Sequence, residues 1–199
     1  MSTRRTAARP RRTVRSATPP DGLRYRTDLI DGGEERELAA RIPALPLKEF
    51  EFQGYLAKRR VVYYGWQYSY GTRSIGRAEP IPDFLLPLRE RAAAFAELPA
   101  DALEQVLVAE YSPGTPIGWH RDKPMFGDVV GVSLLSACTF RFRRRSGDSW
   151  ERYSFSAEPR SAYLLRGPAR EEWEHSIPEV ATLRYSVTFR TLRPRHEER

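Results

Sequence analysis

Histidine, cysteine and methionine are all scarce in this chain of 199 residues, which has three, one and two of them. A single cysteine, Cys138, cannot form a disulfide within the chain, so the class of small disulfide-rich secreted domains is excluded. No apolar run is long enough for a signal peptide or a membrane span, and we therefore expect a cytosolic protein with no membrane partner. There is no internal repeat, and the length predicts one domain with one core.

Acidic residues are absent from the first 19 positions, where six arginines supply most of the formal net charge of +7. A segment rich in Arg, Ser, Thr and Pro buries too little apolar surface to offset the entropy lost on ordering. We therefore predict a disordered basic tail over residues 1–20, a single globular domain over 21–192 and a charged C-terminal tail over 193–199. The basic tail is either a solvated leader or a nonspecific arm for phosphates. We expect a monomer.

The pattern of predicted elements changes near residue 100. Before it, a strand is predicted at Leu23–Leu29, and helical spacing with flanking prolines predicts helices at Glu34–Ile42 and Asp83–Phe95. After it, short β-rich runs alternate with Gly, Pro and Ser turns. These runs are Gln105–Tyr111, Val129–Leu135, Cys138–Arg144, Trp150–Phe155, Ala162–Leu165 and Leu183–Leu192. Helices first and strands later predict an α+β fold with a β-barrel or jelly-roll core.

An aromatic-rich segment precedes the second predicted helix. Its eight rings are Phe50, Phe52, Tyr55, Tyr63, Tyr64, Trp66, Tyr68 and Tyr70. Period-2 spacing from Tyr64 to Tyr70 predicts four rings on one face of an extended segment, just after the basic residues 58–60. Such rings either stack on nucleobases or pack in the core. Trp66 and Tyr68 are the candidates for substrate contact.

Two of the three histidines belong to an ordered set with one aspartate. His120 and Asp122 are two residues apart, so in an extended backbone their side chains point the same way and can share a metal ion. Taken alone, this pair is also the pattern of an ordinary surface ion pair. His175 follows at a strand end 53 residues on, and two imidazoles with one carboxylate are the ligands of non-haem Fe(II) oxygenases.

The last predicted strand has one polar face. Its polar residues alternate with apolar ones in the run Arg184, Tyr185, Ser186, Val187, Thr188, Phe189 and Arg190. If the polar face met solvent, this would be an ordinary half-buried strand; together with the histidines, it predicts the lining of a polar cavity. The planar guanidinium of Arg suits a carboxylate, which it binds through two hydrogen bonds. Six residues of strand span about 20 Å, so both arginines must lean inward to meet one small diacid.

These elements resemble the AlkB-like family of Fe(II)- and 2-oxoglutarate-dependent dioxygenases over about residues 45–192. The family's signature is an Asn-x-Tyr-x-x-Gly element, then His-x-Asp, a distant His, and an Arg-x-Asn-x-Thr-x-Arg strand. The matching residues here are Tyr111, Gly114, His120, Asp122, His175, Arg184, Thr188 and Arg190. Residues 167–170, ahead of His175, also resemble the family's approach to its second histidine.

The resemblance implies a double-stranded β-helix, or jelly-roll, core with N-terminal helices and an aromatic-rich lid. By the same resemblance, His120, Asp122 and His175 ligate the catalytic Fe(II), and 2-oxoglutarate and O₂ are the other reactants. The iron and the co-substrate carry out the oxidation, and the protein positions them.

The co-substrate residues implied by the resemblance are Tyr111 and Arg184 for the distal carboxylate of 2-oxoglutarate, and Arg190 for its proximal end. Glu110 and Ser186 depart from the family pattern, in which asparagines support 2-oxoglutarate. A carboxylate pointing inward would repel a diacid, so we expect Glu110 to turn away or to pair with an arginine. We expect Ser186, which takes the place of an asparagine of the family, to keep a shorter hydrogen bond to 2-oxoglutarate.

The activity implied is oxidative demethylation of alkylated bases in DNA or RNA, which releases formaldehyde when the methyl carbon is bonded to nitrogen. A second hypothesis keeps the iron chemistry but acts on a protein side chain or small molecule; it is favoured by Pro124, where some base-repairing members carry an acidic substrate contact. A third is a non-catalytic nucleic-acid-binding β-domain. A zinc hydrolase with the same ligands is disfavoured, because hydrolysis does not explain inward arginines.

Overall fold

The computed structural model describes residues 13–15, 18–52, 55–69, 71 and 74–193. In chain order, the described strands are β1 (Thr13–Arg15), β2 (Leu23–Arg26), β3 (Lys48–Phe52), β4 (Tyr55–Tyr64), β5 (Trp66–Ser69), β6 (Ser74–Arg77), β7 (Gln105–Tyr111), β8 (Ile117–His120), β9 (Phe126–Leu134), β10 (Cys138–Ser146), β11 (Ser149–Ala157), β12 (Ala162–Leu165), β13 (Glu174–Ile177) and β14 (Arg184–Leu192). The described helices are α1 (Gly32–Arg41), α2 (Leu86–Ala96) and α3 (Gly167–Glu171), with 3₁₀ turns at Ile42–Ala44, Asp83–Leu85 and Ala100–Ala102. Within these ranges, no helix is both long and apolar enough to cross a bilayer.

Two β-sheets dominate the described residues. The major sheet has the strand order β2-β12-β9-β14-β7-β4-β3, the minor sheet has the order β1-β11-β10-β13-β8, and β5 pairs with β6 in a separate hairpin. Neighbouring strands are antiparallel except β1, which runs parallel to β11. Strand β1 lies inside the predicted basic tail, and the division of the chain into two tails and one domain stays a prediction. Residues 1–12 and 194–199 lie outside the described part of the chain.

Strand β14 shows how the two faces of the major sheet are used. Tyr185, Val187 and Phe189 join the buried apolar core that also contains residues of α1 and α2. The alternate residues of β14 are buried too, and they pair across the sheet with β7 residues of a second core, which includes Phe140 and Phe142 of the minor sheet. The polar face of β14 therefore lies between the two sheets, as the alternation predicted.

Both predicted helices form, with slightly shifted ends. Helix α1 starts at a capping box in which Asp31 accepts hydrogen bonds from the backbone of Gly33 and Glu34. Pro43 follows it in a 3₁₀ turn, because proline cannot continue the hydrogen-bond ladder. The second predicted helix is divided into the 3₁₀ turn at Asp83–Leu85 and α2.

The aromatic segment does not form the single extended face that was predicted. Gly65 has a positive φ of 74°, and a Cβ there would lie 2.1 Å from the carbonyl oxygen of Glu104. This turn separates β4, a strand of the major sheet, from the β5–β6 hairpin. Tyr64 is buried in the core beneath the helices, whereas Trp66 and Tyr68 lie on the hairpin. Tyr70 lies outside the described residues.

Candidate metal centre and anion pocket

The three predicted metal ligands come together at the edge of the minor sheet. His120 of β8 and His175 of β13 are directly opposed across the two strands, and their ring centroids are 4.3 Å apart. Asp122 follows β8 by two residues, and its Oδ2 atom lies 3.9 Å from Nε2 of His175. Two imidazoles and one carboxylate thus share one small region between the sheets.

The electrostatics of this cluster favour neutral histidines beside an ionised aspartate. Burial, together with the neighbouring His120, lowers the pKa of His175 to about 3, and burial also lowers the pKa of His120. Burial alone would raise the pKa of Asp122, but the charge of Arg190 and the two histidines bring it well below its usual range. At neutral pH His175 is therefore uncharged, and its contact with Asp122 is not an ion pair.

Arg190 supports Asp122 rather than reaching into open space. Its Nη2 atom donates to Oδ1 of Asp122 at 2.9 Å, and its Nη1 atom donates to Oε1 of Gln105 at 2.8 Å. The resemblance implies that Arg190 contacts the proximal end of 2-oxoglutarate, and that role stays a prediction. In the structure, Arg190 contacts the carboxylate of Asp122. Arg170 fixes the same loop by donating to the backbone oxygens of Lys123, Phe126 and Gly127.

Arg184 is a second buried cation, at the other end of β14. Its Nε and Nη2 atoms donate to Oγ of Ser133 at 3.0 and 2.8 Å, and its guanidinium lies 4.9 Å from the ring centroid of Tyr111. Its Nη1 atom is buried and has no hydrogen-bond partner among the described residues. Ser186 lies beside it, with a long 3.5 Å contact to the hydroxyl of Thr188. Both end arginines of β14 therefore lean inward, as their predicted joint role requires.

Glu110 turns away from this pocket, in agreement with the expectation from charge repulsion. Arg60 binds it through two hydrogen bonds of 2.8 Å each. The sequence interpretation nevertheless placed Glu110 wrongly in the motif: in Asn-x-Tyr-x-x-Gly the asparagine position lies two residues before Tyr111, and that residue is Ala109. Ala109 pairs with Ser186 and faces the pocket, so both positions here have small side chains.

The donor set fits Fe(II). Neutral imidazole nitrogens and an ionised carboxylate oxygen are the ligands that this metal takes in facial sites. In the described part of the chain, no three histidine, cysteine or acidic side chains already stand close enough to hold an ion without moving. Adjacent donors with bonds of about 2.1 Å lie roughly 3 Å apart, so Oδ2 of Asp122 and Nε2 of His175 must approach by about 1 Å. Rotation of side chains can supply that movement.

Of the two predicted substrate residues, Tyr68 lies near the loop that bears Asp122, and Trp66 lies on the same hairpin. Lys123, next to Asp122, lies 4.8 Å from the ring centroid of Tyr68, and Arg77 lies 4.2 Å from the ring centroid of Trp66. Arg59 of β4 also lies close enough to His120 to lower its pKa, after the larger effects of burial and Asp122. Their roles in binding substrate stay predictions.

An arginine–tryptophan face covers the outer side of the minor sheet. It consists of Trp119, Arg141, Arg143, Arg145, Trp150 and Arg152. Arg143 lies 4.5 Å from the ring centroids of both tryptophans, and of these four arginines it is the one with a carboxylate partner among the described residues, Glu174. Strand β10 is internal to the minor sheet, between β11 and β13. Arg144 points to the opposite side, where it pairs with Glu151 and Glu172.

Three supporting residues of the site had no role assigned to them from the sequence. Gln105 and Ser133 hold the two arginines of β14, and Arg170 holds the loop after Asp122. Gln105 and Ser133 are polar residues inside apolar strands, which was the available signal. Their partners could be identified only from the register between strands, which cannot be read from the sequence.

Known proteins resemble this chain over most of its length. A family model for the 2OG-Fe(II) oxygenase superfamily matches residues 48–190. The Alkylated DNA repair protein ALKBH8 homolog of Arabidopsis thaliana is 33% identical over 181 residues, which are 79% of this chain and 51% of that protein. The RNA demethylase ALKBH9B of the same plant is 25% identical over 180 residues, 82% of this chain and 35% of that protein. The chain thus spans about half, or less, of the length of these relatives.

Solved structures agree on the fold. The structure of OsALKBH1 superposes with a TM-score of 0.68 at 17% identity, over 88% of this chain and 99% of that one. A Pseudomonas putida prolyl-4-hydroxylase gives a TM-score of 0.57 at 15% identity, over 87% of this chain and 94% of that one. These matches confirm the predicted α+β fold with a double-stranded β-helix core. The chain is an enzyme of the 2OG-Fe(II) oxygenase superfamily, and within that superfamily it is a homologue of the AlkB proteins, as its motifs predicted.

Proposed function

We propose that this enzyme oxidatively demethylates alkylated bases in DNA or RNA. Two relatives, an alkylated DNA repair protein and an RNA demethylase, suggest this substrate class. The observation that carries it for this chain is the arginine–tryptophan face, which lies against the strand that also bears a metal ligand. Trp119 points outward from β8 and the next residue, His120, points inward to the cluster.

The metal-site residues have distinct roles in this proposal. His120, Asp122 and His175 hold Fe(II), and Arg190 keeps Asp122 ionised and oriented. Bound Fe(II), 2-oxoglutarate and O₂ together supply the oxidising chemistry, with succinate and CO₂ as products. Neutral histidines are required for this ligation, and burial keeps them neutral at physiological pH.

The co-substrate residues bind and orient the diacid. Arg184 has one unpartnered buried N–H group, which suits a carboxylate oxygen, and Tyr111 lies beside it. Ser186 supplies a small polar side chain on the same face of β14. The two arginines thus serve different ends of the pocket: Arg184 attracts the anion, and Arg190 orients a metal ligand.

The arginine–tryptophan face has the chemistry that a single nucleic-acid strand needs. Four arginines against one carboxylate attract phosphates, and tryptophan rings stack on bases without sequence preference, at about 1–3 kcal/mol per base. Because β8 is an edge strand, a nucleic acid bound outside it passes directly beside the metal cluster. Trp66 and Tyr68, with Lys123 against Tyr68, are the proposed contacts for the target base.

The test couples product analysis to a charge-matched pair of variants. Purified protein with Fe(II), 2-oxoglutarate and methylated single-stranded DNA or RNA should release formaldehyde in step with succinate. Replacing Arg145 and Arg152 with glutamine should weaken oligonucleotide binding about tenfold and flatten its salt dependence. The control double variant, R24Q with R26Q on edge strand β2, removes the same charge elsewhere and should bind normally.

Other outcomes point to the competing hypotheses. Succinate formed without formaldehyde, together with no oligonucleotide binding, would favour a protein side chain or small molecule as substrate, which Pro124 also favours. Oligonucleotide binding without any effect of Fe(II) or 2-oxoglutarate would indicate a non-catalytic binding domain. Equal losses in both double variants would show that general charge, not the arginine–tryptophan face, attracts nucleic acid.

A further inference from the structure

Tyr163 of β12 occupies a place in the interior that only a glycine neighbour allows. It is directly paired with Gly131 on β9. A Cβ on Gly131 would lie 2.2 Å from Cζ, 2.3 Å from the hydroxyl oxygen and 2.6 Å from Cε1 of the tyrosine. The ring therefore lies across β9 in the space that any other residue would fill.

Strand register shows where this ring is directed. Gly131 pairs on its other side with Thr188 of β14, so Tyr163, Gly131 and Thr188 form one row across three strands. Thr188 belongs to the polar face of β14 that lines the pocket. From the opposite sheet, Phe140 packs on the tyrosine with ring centroids 4.6 Å apart, which holds the ring between the sheets.

Tyr163 is close enough to both the anion pocket and the predicted metal ligands to be affected by their charges. The groups that act on it electrostatically include Arg184, Tyr111 and Asp122. Burial raises the pKa of Tyr163 well above its usual range, so the hydroxyl stays protonated and can donate. Nη1 of Arg184 is buried and has no hydrogen-bond partner among the described residues. A carboxylate in the pocket can accept from this buried nitrogen and from the tyrosine hydroxyl together.

The neighbouring side chains leave room for that acceptor. Ser133, Ser186 and Ala109 pair in the next row across β9, β14 and β7, and all three are small. We propose that Tyr163 is a co-substrate-binding residue, whose hydroxyl donates a hydrogen bond to the carboxylate that Arg184 pairs with. This inference rests on the proposed function of Arg184 as the anchor for 2-oxoglutarate.

The test compares two 2-oxo acids that differ at the distal end. Calorimetry on the Mn(II)-loaded protein, which supports binding without turnover, measures the affinity for 2-oxoglutarate and for pyruvate, which lacks a distal carboxylate. The variant Y163F should weaken 2-oxoglutarate binding about tenfold and leave pyruvate and Mn(II) binding unchanged. The control Y153F, which alters a tyrosine of the same aromatic cluster, should bind both acids like the parent protein.

A second variant perturbs the ring without altering the hydroxyl. G131A pushes Tyr163 out of its row and should reproduce the selective loss of 2-oxoglutarate binding. An unchanged 2-oxoglutarate affinity in Y163F, or an equal loss for pyruvate, would overturn the role of Tyr163 while leaving the enzyme assignment intact. Parent protein that binds Mn(II) but no 2-oxoglutarate would overturn the proposed function and this inference together.

Discussion

Removing Arg190 should destabilise the metal-free protein strongly, because it leaves a buried carboxylate without its cation. Arg190 and Asp122 are joined at 2.9 Å, and their side chains are only 9% and 10% exposed. Breaking a buried pair by deleting one partner costs about 3–5 kcal/mol. The variant R190M retains apolar volume and should therefore lose about that much in free energy of unfolding, with a raised pKa of Asp122.

Urea unfolding in chelator, repeated with Mn(II), measures both parts of this prediction. Bound Mn(II) should restore part of the lost stability in R190M, because the metal charge replaces the guanidinium as partner of Asp122. The matched control is R193M: Arg193 pairs with Glu171 at 2.6 Å, but the two side chains are 43% and 54% exposed, so its loss should be about 0–1 kcal/mol. Equal losses in the two variants would show that Arg190 does not compensate a buried charge on Asp122.

Three further predictions follow from single residues. Lowering the pH from 7 to 5 should reduce the free energy of unfolding of the metal-free protein by about 2 kcal/mol through His175. In the unfolded chain this histidine binds a proton below about pH 6.5. In the folded state, where its pKa is about 3, it does not. Denaturant titrations check this against H175Q, which should lack that share of the pH dependence; identical profiles would contradict it. E110Q should leave the 2-oxoglutarate affinity within about twofold in calorimetry, since Arg60 holds this carboxylate outside the pocket; a large gain in affinity would mean that Glu110 faces the anion. S186A should weaken 2-oxoglutarate binding by about 2–10-fold, and an unchanged affinity would remove Ser186 from the pocket.

The alternation of β14 could be predicted from sequence because a strand has a strict period of two. Arg184 and Arg190 face the interior, and Tyr185 packs beneath the helices, as that period required. The same argument brought His120 and Asp122 together. The prediction of one extended face from Tyr64 onward was wrong because Gly65 ends the strand. Period-two spacing does not indicate a turn with a positive φ.

Cross-strand partners were out of reach of the sequence. Tyr163 and Gly131 are 32 positions apart in the chain. Nothing in the local sequence shows that the ring of Tyr163 lies over Gly131. The partners of Asp122 and Arg184 likewise depend on register between strands distant in the chain. Family resemblance supplied the predicted metal ligands, but the residues that hold these side chains in place required coordinates.

The most direct test of the metal and co-substrate site is an anaerobic titration of the purified protein with Fe(II) and 2-oxoglutarate, followed by visible absorption. We expect a charge-transfer band that appears only when both are present, and that is lost in H175A and strongly weakened in R184M. A protein that gives no band and binds no Fe(II) under these conditions would contradict it.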